Sequence, residues 1–109
     1  MKIVTCPIPR WAGTAQISDP MTVMQVAVIE RAISSAQKIE NPTTAEVEQT
    51  LLPGVLACVN RFDLANLPAQ MSVEQWPGTP RGDSILLFNW LLGEVRAVYR
   101  GEVTPPPLA

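Results

Sequence analysis

The chain contains no histidine, and that absence removes the commonest general base, the commonest zinc ligand and the usual partner of a nucleophilic Ser or Cys in one step. Two cysteines remain for sulfur chemistry. Cys58 lies in an apolar helical stretch and reads as a small core residue, while Cys6 lies in a short extended segment and is either buried or a free thiol. Two isolated cysteines do not form a metal site. The acids are scattered: Glu46 and Glu48 stand two apart on a helix, where side chains diverge, and Glu46 is better placed as a helix cap. A carboxylate hydrolase would have to assemble Glu30, Asp63 and Glu94 from distant segments. The expectation is a protein without catalytic, cofactor-binding or metal-binding residues.

Three motifs mislead. Gly78 to Gly82 has the look of a phosphate loop, but no Lys-Ser or Lys-Thr follows and Pro80 removes a backbone donor. Arg81-Gly82-Asp83 matches an adhesion tripeptide at a place where a helix start explains it better. Trp11, Trp76 and Trp90 lack the interleaved cations of a nucleic-acid surface. Trp11 and Trp76 flank Pro and Gly, so they either protrude as interface anchors or cover the ends of the core. With Leu86, Val23 and Val28, the three tryptophans are the candidate protein-contact residues.

The composition favours contact over chemistry. Charged residues make up 17% of the 109 and hydrophobic ones 47%, against the quarter charged that is usual. Part of the surface should therefore be neutral or apolar, as in proteins that another chain covers. A net charge of −2 without a run of cations argues against nucleic acid. Arg96 and Arg100, one turn apart, complement a helix C-terminus. The longest apolar run, Ile85 to Leu92, is broken by Asn89 and falls short of the ~20 residues that span a membrane. Pro7 and Pro9 interrupt what would have to be a secretory core, and a reducing cytoplasm is expected.

The elements that would carry these residues read as mainly α: three to four helices in a single domain over 1–102, with an N-terminal β-hairpin over about 1–18 and a flexible, extended Pro-rich tail over 103–109. Lys2 to Cys6 and Gly13 to Ser18 are the hairpin strands; two strands alone are marginal, so they must lie on a helix or join another sheet. Asp19-Pro20 opens the first helix, with Thr22 and Gln25 as an alternative capping box, and the helix runs to about Lys38. Its apolar stripe (Val26, Ile29, Ile33, Ala36, broadened by Val23, Val28 and Ala32) is wide enough for two partners. Ile39 to Pro42 stops it. Thr43 and Glu46 cap the second helix, which should kink or restart at Pro53-Gly54 with Thr50 as cap. Leu51, Leu52, Val55, Leu56, Val59 and Phe62 continue its spacing, and Asp63 to Met71 is loop. Ser72 and Gln75 cap a single turn ending at Trp76. The last helix begins between Pro80 and Asp83 and ends at Tyr99 or Arg100 with Gly101 as its C-terminal cap. On it, Leu87, Leu91, Val95 and Val98 form one stripe, while Leu86, Trp90 and Ala97 lie on a different side.

Taken in order, Cys6-Pro7-Ile8-Pro9-Arg10-Trp11-Ala12-Gly13, Ser18-Asp19-Pro20-Met21-Thr22, Leu52-Pro53-Gly54-Val55-Leu56-Ala57-Cys58 and Trp76-Pro77-Gly78-Thr79-Pro80-Arg81 give a layout over residues 6 to about 100 that resembles small bacteriophage tail assembly chaperones. That resemblance implies a viral protein acting in the host cell cytoplasm, binding the apolar helices of a tape measure protein during tail assembly and absent from the virion. A structural virion component, such as a head–tail connector or tail completion protein, and a small phage regulator that binds a host protein are the other readings. Any of them permits a homo-oligomer, and none calls for a cofactor, nucleic acid or a membrane.

Overall fold

The computed structural model describes residues 1–76 and 83–103. In chain order the elements are β1 (Lys2–Thr5), a 3-10 turn (Pro9–Trp11), β2 (Gly13–Ile17), α1 (Val23–Gln37), α2 (Thr44–Ala57), β3 (Val59–Leu64) and α3 (Asp83–Val103). The three strands form one antiparallel sheet in the order β1-β2-β3. The protein is therefore a small α+β domain, and the mainly α expectation is wrong at a definable place. Val59 and Phe62 do continue the apolar spacing of α2, but the helix stops at Ala57 with Cys58 as its cap. The next six residues pair with β2 instead. Strand pairing buries Phe62 and Leu64 on the face shared with Ala15 and Ile17, which a continued helix would not. Asp63 and Leu64 thus belong to a strand and not to the expected loop.

Alternation along the strands divides the sheet into two faces. Val4, Ala15, Ile17, Phe62 and Leu64 point inward and are buried against Ile29 of α1, Leu52 and Val55 of α2, and Leu87, Leu91 and Val95 of α3. The rows Ile3, Gln16, Arg61 and Thr5, Thr14, Asp63 form the outer face. Gly13 starts β2 opposite Leu64 of β3 at φ 145°, and a Cβ there would collide with the Asp63 carbonyl oxygen, so no other residue fits. β3 carries a bulge opposite Gln16 and Ile17. At that bulge the Ser18 hydroxyl donates to Asn60 Oδ1 at 2.8 Å and accepts from Gln25 Nε2 at 2.8 Å.

Local signals explain the helix starts. Thr22 caps α1 with Gln25 and Thr43 caps α2 with Glu46, each as a reciprocal box. The first of these moves the start of α1 past Asp19-Pro20, which is a cis peptide outside the helix. Ser72 and Gln75 close the isolated turn that ends at Trp76, the Gln75 side chain accepting from the Ser72 N–H at 3.0 Å.

Two expected breaks do not occur, a restart of α2 at Thr50 and an end of α3 at Gly101. α2 passes through Pro53 without restarting at Thr50, and α3 passes through Gly101 to Val103, so Gly101 is not a terminal cap. The second correction also places Val103 in a helix and not in the tail. The Gly78 to Gly82 loop, Arg81-Gly82 and the Pro105-Pro106-Pro107 tail lie outside the described residues.

Candidate functional site

Pro53-Gly54 is the residue pair from which the candidate site is built. Gly54 is buried where α2 crosses α1: a Cβ at this position would stand 3.0 Å from the Ala32 methyl and 3.3 Å from Ile29 Cα. The missing side chain lets the two helices pack closely, and α3 packs on α2 from its other side. Between α1 and α3, over α2, this leaves a cleft of about 320 Å³.

Ile29, Gly54, Val55 and Val95 are buried in it and form the floor. Ala32, Ile33 and Ala36 from α1, Val47 and Leu51 from α2, and Leu92 from α3 form half-buried walls. Gln37 and Arg96 stand exposed on the rim and are its polar residues. The walls are aliphatic because the apolar stripes of α1 and α3 are broader than their contact with α2 covers.

None of the six residues singled out from the sequence lines this cleft. Trp11 and Trp76 are buried, which decides between their two readings in favour of core covers. The Arg10 guanidinium lies 5.1 Å from the Trp11 ring centroid. Trp76 donates its indole N–H to Glu48 at 3.0 Å and so fastens the chain that follows β3 onto α2. Val23 is 85% exposed at the first turn of α1 beside Met24 at 73%, and Val28 is half-buried at the α1–α2 crossing. Leu86, 57% exposed, and half-buried Trp90 share a flank of α3 facing away from the cleft. The residues that the sequence reading passed over are the small and medium ones: Val47 and Leu92 in the walls, and Gly54 below them. The available signal was a glycine inside an apolar helix, which marks close backbone approach.

The chemical groups have structural employment. Glu46 caps α2, Glu48 holds Trp76, and Glu94 pairs with Lys2 at 3.5 Å. Glu30 and Asp63 are exposed, Asp63 on the outer sheet face. No group of three or more Cys, Asp or Glu side chains able to hold a metal occurs among the described residues. Burial pushes the Cys58 thiol up to about 11 and raises that of Cys6 as well, so both are held as neutral thiols at physiological pH. No helix among the described residues is long and apolar enough to cross a membrane.

Comparison of the chain with protein-family models, with curated proteins and with solved structures returns no match.

Proposed function

We propose that the protein is a binding module that accepts an apolar helix of another protein in the cleft between α1 and α3. The observation that carries this reading is the distribution of polarity in the cleft. Concave sites for small molecules combine apolar walls with a few inward polar groups that orient the ligand, whereas here Gln37 and Arg96 stand on the rim and the interior is aliphatic. Such a surface selects shape and apolarity. An amphipathic helix supplies both through side chains at i, i+3, i+4 and i+7. Arg96 favours a carboxylate beside that stripe, or a helix C-terminus.

The resemblance of the sequence to phage tail assembly chaperones points this module to a particular partner, the long helical tape measure protein, which the cleft would shield until tube subunits surround it. The likeness rests on the sequence. The cleft supports it in that transient shielding of helices needs an aliphatic groove and no catalytic group.

The test is fluorescence anisotropy with a labelled helical peptide that has leucines at i, i+3, i+4 and i+7 and glutamates on its other face. Binding at micromolar concentration is expected, weakened at least about tenfold by Ala36→Trp, which fills the cleft, and by Leu51→Glu, which charges it. Absence of binding, or binding indifferent to both changes in folded variants, overturns the proposal. For the tape measure partner, co-expression should give a complex that Ala36→Trp abolishes, and purified virions should lack the protein. Its presence in virions would favour the connector reading.

A further inference from the structure

α3 has a second uncommitted flank, opposite the cleft, and it lies beside the open edge of the sheet. The two sheet edges are unequal. On β3 the outward Phe62 N–H donates to the Ala69 carbonyl at 2.8 Å and the outward Asn60 carbonyl accepts from Gln70 Nε2 at 2.9 Å, so that edge is closed by its own chain. On β1 the Cys6 N–H bonds the Gly13 carbonyl at 2.9 Å, and antiparallel alternation then turns the peptide groups of Ile3 and Thr5 away from β2. Among the described residues nothing takes them. The Lys2 side chain, a charge of the kind that guards open edges, is instead drawn to Glu94 of α3.

The same ion pair places α3 beside β1, and Lys2 shares a surface depression with Ala97 and Gly101. On a helical wheel those two residues lie with Leu86, Trp90 and Gly93 on one flank. Leu86 is 57% exposed. Among the described residues Gly93 and Gly101 have nothing within 4 Å of where a Cβ would stand, so packing among these residues gives no reason for glycine in the middle of α3, where it weakens the helix.

We propose that this side of the molecule is the interface of a two-fold dimer, in which β1 pairs antiparallel with β1 of a second copy and the Leu86–Gly101 flank of α3 packs on its equivalent. A two-fold axis through Val4 sets Ile3 opposite Thr5 of the second copy in both directions, which satisfies the outward peptide groups of both strands. It also keeps the two Lys2 residues about 13 Å apart, and each copy brings its own Glu94, so no like charges are forced together. The sheets join into six strands with both α3 helices beneath, and the small side chains allow close helix approach. With α3 about 30 Å long at 1.5 Å per residue and one helix layer under one sheet layer about 20 Å deep at ~10 Å per layer, the face offers about 600 Å² on each copy. The total of about 1,200 Å² reaches the lower range of stable interfaces.

The test is light scattering and sedimentation from 10 to about 200 µM. The native chain should show twice its 11.9 kDa mass, and Ala97→Arg, a change at an exposed position, should halve it with the circular dichroism unchanged. Mild oxidation should join Gly93→Cys chains by a disulfide but leave Arg61→Cys, on the outer sheet face, unjoined; this comparison stands even where Ala97→Arg does not fold. A native mass of 11.9 kDa throughout, a dimer that survives Ala97→Arg, or equal cross-linking at both positions overturns the proposal. The cleft faces the other way, so Ala36→Trp should leave the mass unchanged, and a dimer lost on that change would equally overturn it.

Discussion

The two flanks of α3 present apolar surface of opposite kinds. Toward α1, Leu92 and Val95 stand in a concave wall with Ile33 and Leu51, and the space left is the size of side chains. Toward β1, Gly93, Ala97 and Gly101 leave a surface on which an added Cβ at either glycine meets nothing. A concave aliphatic wall receives side chains from a partner, whereas a strip of missing side chains receives a backbone. Residue size, more than hydrophobicity, separates the two roles on one helix, because the same apolar gain per unit area is available on both flanks.

The change that should damage both flanks at once is in the stripe between them. Leu91 is fully buried against the sheet and α2, and Leu91→Ala should cost about 2–5 kcal/mol through lost burial and a residual cavity. Urea denaturation would show this as a lower midpoint at an unchanged m-value, with peptide binding and dimer mass falling together. A smaller and more selective change is Gly54→Val. Its branched side chain must displace Ala32 and the α1 backbone, at about 1–3 kcal/mol of overpacking, and the displacement opens or closes the cleft alone. Thermal melting should fall while cross-linking through Gly93→Cys persists, and loss of both properties would show that the flanks are not independent.

Gln25 offers a third division of effects. Its carbonyl oxygen accepts from the Thr22 N–H at 2.8 Å as the capping box, while its amide nitrogen donates to Ser18 Oγ and to the Ala57 carbonyl at 3.1 Å. One side chain therefore ties the start of α1 to the end of α2 and to the sheet bulge. Gln25→Ala should cost about 1–2 kcal/mol, the upper range for a cap. Because it loosens α1 and not α3, it should weaken peptide binding more than dimer mass. Equal effects on the two would contradict the separation of the flanks.

The capping boxes were legible because they are local: Thr22 and Gln25, Thr43 and Glu46, Ser72 and Gln75 each carry the start signal within four residues. β3 was not legible for the complementary reason. Val59-Asn60-Arg61-Phe62-Asp63-Leu64 satisfies the helical spacing through Val59 and Phe62 and the strand spacing through Phe62 and Leu64. The choice between them is made by β2, more than 40 positions earlier in the chain. Pro53 and Gly101 misled in the same way. Each is a local breaker by propensity, and α2 and α3 nonetheless run through them. The cleft could not be read at all, since it exists only where α1 and α3 both flank α2. The sequence did show that Leu86, Trp90 and Ala97 diverge from the main stripe of α3, and these residues now mark its second flank.

The smallest expected effect gives the sharpest view of the comparison, because its sign depends on the surroundings. Within one chain Gly93 is an exposed mid-helix glycine with open space around the Cβ position, and Gly93→Ala should stabilise α3 by up to about 1 kcal/mol through helix propensity and reduced unfolded-state entropy. In a dimer packed through that position, the added methyl groups face each other near the seam and push the helices apart, so part of that gain is lost to poorer packing. Stability measured by denaturation should therefore rise at low concentration, where chains are single, and rise less or fall at high concentration, where they pair. A gain that is the same across a hundredfold range of concentration would mean that nothing approaches Gly93, and the β1 flank of α3 would then be plain surface beside a cleft that works alone.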